Sequence, residues 1–246
     1  MAGEQITGTN LAGASVARHR RQRSFRAWQD RIRDPSLTAL LILQICAIFL
    51  AAPLAAKGLP IARAIANTLV IAVLVIVVMM SPRLVAGILI LLGLAATAAG
   101  LLVSAEWSPV ATSVLRHGGE ILTFSALIWV VVHAVYAPGR ITLQRLQGAG
   151  VIYLSVATMF AAAYALIWEL NPGAFVNLVA PSSDAKEVST MLYFSLTTLT
   201  ATGYGDIVAI EPFARSLANL ESVLGQFFLA ITVARLVTLE MADRRR

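Results

Sequence analysis

Long apolar runs alternate along this chain with short polar connections. Six of them approach the roughly 20 residues that a helix needs to cross the apolar part of a bilayer. They run from about Leu37 to Ala56, Ala64 to Met80, Leu84 to Val103, Gly119 to Tyr136, Gly150 to Trp168 and Phe213 to Leu239. Between the fifth and sixth runs the rhythm breaks. Asn171 to Ala185 holds Pro172 and Pro181, and Asp184 followed by Glu187 predicts a helix N-cap with a capping-box partner. The helix that follows, about Ala185 to Leu199, is too short to span and has to turn back, which exposed backbone tolerates only under cover of protein or water. The pattern predicts an all-α membrane protein with six transmembrane helices and one re-entrant helix.

Charge orients these segments. Arg83, Arg140, Arg145 and Arg244 to Arg246 fall on one side, while the other holds Lys57, Arg63, Arg116, Lys186 and Arg215 over longer loops. By the positive-inside rule both termini are expected in the cytoplasm, with Trp107 and Trp168 near the outer boundary. Residues 1 to 17 are small and polar and do not read as a signal peptide. Arg18 to Arg33 contains seven arginines, with Phe25, Trp28 and Ile32 at helical spacing. That stretch is either a basic helix on the inner leaflet, in contact with anionic lipid, or a solvated run that enforces topology.

Composition narrows the function classes. Hydrophobic residues make up 58% and charged residues 13%, with mean hydropathy +0.78, so there is no room for a sizeable soluble domain. The net charge of +6 and pI near 10.1 do not point to nucleic acid, because the basic residues gather at helix ends. Cys46 is the only cysteine and lies in an apolar run, so a disulfide framework and a cysteine metal site are both excluded. No His/Asp/Glu/Cys constellation suggests an enzyme, and no cofactor is expected.

The chemistry concentrates in Thr197 to Asp206, T-T-L-T-A-T-G-Y-G-D. A cation leaving water needs a cage of oxygens. Successive backbone carbonyls aimed at one axis supply it if the chain alternates through left-handed dihedrals, which Gly203 and Gly205 adopt without strain. The carboxyl end of the preceding helix would add partial negative charge there. This loop, entered through threonines from a short helix between two membrane-length segments, resembles the selectivity filter of the potassium-channel superfamily, and the resemblance covers about Gly150 to Glu240.

The resemblance implies a tetramer, in which three further copies complete the pore, and potassium as the permeant ion held by carbonyls of Ala201, Thr202, Gly203, Tyr204 and Gly205. Asp206, Tyr193, Phe194 and Glu221 are expected to support the filter, Glu221 against a threonine of the short helix. Gly225 matches the bend of the family's inner helix, with glycine for close packing as the alternative; steps of four from it give Leu229, Val233 and Val237 as an apolar cavity lining. Three positions depart from the family pattern. Ala201 replaces a threonine, Thr202 a valine and Phe194 a tryptophan, so a hydroxyl from Thr200 or water would have to complete the innermost ion site.

The first four segments resemble the family only in helix number. A voltage sensor needs several charges, each worth about 2.3 kcal/mol per 100 mV, and the fourth segment offers only Glu120 and His133 at its edges. Glu120 reads as interfacial, His133 as facing a helix neighbour or the interface with a proton sensor as the alternative, and Arg235 as snorkelling to headgroups. Gly87, Gly93 and Gly100 read as close helix packing. The expected domains are a basic segment 1–36, a four-helix domain 37–138, a linker 139–148 along the inner surface, a pore domain 149–240 and a basic tail 241–246. The expected function is a potassium-selective channel of the cell membrane without steep voltage gating. A weakly selective cation channel is the alternative, and a secondary transporter is a more distant one, since no inverted repeat of the loop occurs in the first half.

Overall fold

The computed structural model describes residues 36–80, 84–102, 108–136, 143–178 and 183–243. The arginine-rich stretch Arg18 to Arg33, Arg83, Trp107, Arg140, Pro181 and Arg244 to Arg246 lie outside the described residues, as do the side chains of Arg63, Arg145 and Val237. Seven helices are described, and the first is α1, Ser36–Ala56. It widens into a π-turn at Ala47–Ala51, where the Ala52 N–H donates to the Ala47 carbonyl. Pro53 follows at once, and its missing N–H is a common cause of such a local change in helix pitch.

Helix α2 covers Pro60–Met80, α3 Leu84–Leu102, α4 Pro109–Val135 and α5 Leu143–Leu170. Among the described residues five helices are long and apolar enough to cross a membrane: α1, α3, α4, α5 and the last described helix, α7, Pro212–Asp243. Two starts differ from the expectation. Helix α4 begins ten residues before Gly119, because Ser108 accepts a hydrogen bond from the Ala111 N–H and Pro109 stands at the first helical position. Helix α5 begins at Leu143, so part of the expected linker is helical.

Two apolar cores result. The first joins Leu37 and Leu40 of α1, Val73, Leu74 and Val77 of α2, Ile90 of α3, Leu127 and Val131 of α4, and Val151 of α5. Within it α3 and α4 meet backbone to backbone. A Cβ on Gly93 would lie 2.7 Å from the Gly119 carbonyl, and one on Gly100 2.7 Å from the Arg116 nitrogen, whereas Gly87 faces open space. The second core packs Ile48 of α1 and Phe160 and Tyr164 of α5 against Met191, Leu192 and Phe194 of the short helix α6, Asp184–Leu199.

Between α5 and α7 the chain leaves and returns at the same end. Strand β1, Phe175–Val176, pairs antiparallel with β2, Val208–Ala209, and the Ala174 carbonyl accepts from the Ile210 and Glu211 N–H groups. Helix α6 and the loop after it are thus one closed excursion. Sixteen residues give α6 a length of about 24 Å. Its N-cap is Ser183, which accepts from the Lys186 N–H, and not Asp184; Glu187 is free of the expected capping box and turns elsewhere.

Candidate functional site: the loop after α6 and its supports

The loop starts where α6 runs out of partners. The Ala201 N–H donates to the Thr198 carbonyl, and the Thr197 carbonyl accepts from both Thr202 and Gly203, at 2.8 and 3.2 Å. These bonds satisfy carbonyls that a helix end leaves open and fold the loop back on its own last turn. Ala201, Gly203 and Gly205 have φ of 54°, 53° and 78°, while Thr202 and Tyr204 between them do not enter the positive-φ region. Left-handed backbone therefore recurs at every second residue. For the two glycines this is nearly free, whereas for Ala201 it costs about 1–2 kcal/mol. Residues Ala201 to Asp206 are all exposed in the single subunit.

Thr200 is exposed at the start of the loop. Its hydroxyl donates to the Leu196 carbonyl at 2.7 Å and lies 2.8 Å from the Thr202 hydroxyl. Tyr193 supports the loop on its far side: its ring stacks parallel to Tyr204 with centroids 6.4 Å apart, and its hydroxyl donates to Asp206 at 2.7 Å. That bond to the carboxylate pushes the Tyr193 hydroxyl up to about 12. Phe194 points the other way. It packs edge-on against Tyr164 and Phe175 in the second core, so the polar ring beside Tyr204 is that of Tyr193.

Behind the loop, Glu221 of α7 has no solvent exposure. It accepts from the Ser195 hydroxyl of α6 at 2.5 Å and from the Tyr164 hydroxyl of α5 at 2.6 Å, so one carboxylate joins three helices. The partner on the short helix is a serine and not a threonine; the threonines Thr197 and Thr198 bond the Phe194 carbonyl instead. Neither Ser195 nor Tyr164 carries a signal in the sequence, because the pairing exists only once the helices meet. Nearby, the Leu199 carbonyl accepts from the Tyr153 hydroxyl at 3.2 Å.

Gly225 touches the same carbonyl. A Cβ there would lie 2.0 Å from the Leu199 oxygen, closer than any real contact, so glycine is required for α7 to approach the end of α6. Close packing, the alternative to a hinge, thus has a concrete partner. Leu229 and Val233 follow on α7 and are exposed in the single subunit. Arg235 lies with its guanidinium 4.3 Å over the ring of Tyr136, at the end of α4. His133 is bonded to the Trp129 carbonyl at 2.9 Å and leans on the Trp129 ring, in keeping with an interfacial residue.

At the start of α6 the side chains are ionic, and the sequence did not bring them together. Arg116 of α4 pairs with Glu169 at the end of α5, and with Asp184 and Glu187 in the first turn of α6 at 3.6 and 3.4 Å. His117 is beside it, with Glu120 at 3.4 Å from its Nδ1. Glu187 is mostly buried; burial pushes its carboxyl up from the ordinary value, and Arg116 offsets this only in part. The pair Ser108-Pro109 was the available sign that α4 begins early enough to carry these residues.

No curated protein and no solved structure matches the chain. One family does: residues 151–241, from the first third of α5 to the end of α7, match the family described as Ion channel. This match places an ion-channel domain in the carboxyl-terminal part of a helical, membrane-protein-like chain.

Proposed function

We propose that four copies of the chain surround a common axis and pass potassium ions through rings of carbonyls from Ala201, Thr202, Gly203, Tyr204 and Gly205. The observation that carries this reading is the recurrence of left-handed backbone at 201, 203 and 205 in a loop tied back to Thr197. Alternating left- and right-handed residues turn successive carbonyls toward one side, which a carbonyl cage requires. Such a cage replaces the hydration shell of an ion only when further copies close it, and the exposure of the whole loop in one subunit agrees with that. So does α7. Only 11% of its membrane-length window is buried, against 50% for α5, and Phe227 remains 63% exposed.

In this reading α6 is a re-entrant pore helix whose carboxyl end favours a cation. Asp206, held by Tyr193, marks the outer mouth, and Leu229, Val233 and Val237 line the inner cavity. Six helices cross the membrane, α2 being the sixth at 21 residues, with both termini in the cytoplasm. Voltage dependence is weak, because Arg116 is engaged with carboxylates at one end of α4 and no series of charges follows it. Ala201 favours a second reading, a weakly selective cation channel, since no side-chain hydroxyl is present at that position.

Flux from liposomes tests the proposal. Vesicles containing the purified chain should take up potassium and rubidium far faster than sodium, and no faster than empty vesicles should they take up anions. Equal potassium and sodium uptake would leave the cation-channel reading.

A further inference from the structure

The ionic cluster at the start of α6 is built around a histidine. His117 is 2% exposed. Its Nε2 lies 3.4 Å from Glu169 Oε2 and 3.6 Å from Glu187 Oε1, and one ligand atom from each of the three residues falls within 4.8 Å of the others. These residues come from three helices, α4, α5 and α6, so the geometry is set by tertiary packing and not by one flexible loop.

The protonation pattern of the ring follows from its neighbours. An arginine can only donate, and Arg116 Nη2 is 2.9 Å from His117 Nε2, so Nε2 carries the lone pair. The proton is then on Nδ1, which faces Glu120 at 3.4 Å. An imidazole whose lone pair points between two carboxylates, and whose other nitrogen donates to a third, is oriented as metal-bound histidines are. Two ligands about 2.1 Å from a tetrahedral metal are about 3.4 Å apart, close to the two separations observed here.

What occupies the centre is itself a cation. Arg116 Nη2 contacts His117 Nε2, Glu169 and both Glu187 oxygens. Around that single guanidinium stand the carboxyl groups of Glu169, Asp184 and Glu187, with Glu120 on the far nitrogen of His117, so acidic groups outnumber the basic one. This surplus of negative charge favours a cation of higher charge in place of the guanidinium. We propose that His117, Glu169 and Glu187 form a site for a zinc-class divalent cation, which displaces the Arg116 guanidinium and joins α4 and α5 to the first turn of α6. The imidazole nitrogen selects zinc-class ions over magnesium and calcium, which prefer oxygen alone. This site does not depend on which ion the pore passes.

The test is Zn2+ titration of the purified full-length chain in detergent, followed by calorimetry and by thermal unfolding. One Zn2+ per chain is expected to bind and to raise the unfolding temperature, with Mg2+ unable to compete. His117→Gln and Glu169→Gln should weaken binding at least tenfold. Arg116→Gln should do the opposite and tighten it, by tenfold or more, because the competing cation is gone. Zinc X-ray absorption on the unmodified chain needs no variant and should show one imidazole nitrogen with oxygen ligands. Equal affinity in the unmodified chain and His117→Gln, an unchanged or weaker affinity in Arg116→Gln, or an oxygen-only zinc environment would each overturn the site and leave an ion-pair clamp.

Discussion

The short helix α6 is held at its two ends by opposite kinds of chemistry. At its start the contacts are charge on charge: Arg116 against Glu169, Asp184 and Glu187, partly open to solvent. At its end they are a buried carboxylate between two hydroxyls and a glycine pressed on a carbonyl. Ionic pairs near solvent are weak and respond to salt, whereas a sealed hydrogen-bond network tolerates no missing member. The end that carries the loop is thus the rigid one, and the end that faces α4 is the adjustable one.

Breaking the rigid end should have the largest effect. Glu221→Leu leaves the Tyr164 hydroxyl without its acceptor in the core, while Ser195 keeps the Ala157 carbonyl at 2.7 Å, and is expected to cost about 2–3 kcal/mol. Thermal unfolding and oligomer retention on gel filtration report it; an unfolding temperature equal to that of the unmodified chain would show that the carboxylate braces nothing. Gly225→Ala comes next. Its Cβ meets the Leu199 carbonyl at 2.0 Å, and overpacking of this kind costs about 1–3 kcal/mol. Because Leu199 leads into the loop, ion selectivity should shift along with open probability. A change confined to gating would favour a hinge over close packing at Gly225.

The adjustable end should respond less. Glu187→Gln removes one of the three carboxylates around Arg116, which keeps Glu169 and Asp184, so its cost should be smaller than that of Glu221→Leu. The comparison sharpens with salt: high ionic strength should narrow the gap between Glu187→Gln and the unmodified chain in thermal unfolding, but leave that of Glu221→Leu unchanged. The smallest effect is expected at Tyr193→Phe, which keeps the ring stacked on Tyr204 and removes the bond to Asp206. Currents should persist but decay faster during sustained opening. The Tyr193 hydroxyl is raised to about 12, so its donor proton is present below that pH and lost only above it. Alkaline solution up to about pH 11 should therefore leave the unmodified current's decay unchanged, and faster decay near pH 10 would argue against the bond.

Much of the rigid end was legible from residue types alone. Glycine at 203 and 205 is the choice a left-handed backbone demands, and a carboxylate at 221 inside an apolar run needed a partner. The identity of that partner was not legible, because Ser195 and Tyr164 resemble any other small or aromatic residue until α5, α6 and α7 pack. Ala201 was legible only in part. Its type suggests a missing hydroxyl, while its φ of 54° shows that the backbone differs too, in a conformation a β-branched threonine resists. The adjustable end was not legible because its charges meet only when α4, α5 and α6 pack. Arg116 and His117 lie inside α4, facing carboxylates on α5 and α6 that are 52 or more positions away, and the cap of α6 is supplied by Ser183, which leaves Glu187 to face Arg116.

The central claim is selectivity, and bi-ionic recording from the reconstituted chain addresses it directly, with potassium on one side of a planar bilayer and sodium on the other. A reversal potential displaced far in the direction that reports potassium permeation is the expected result. A reversal potential near zero, with current carried equally by both ions, would contradict a potassium-selective pore at Ala201 to Gly205.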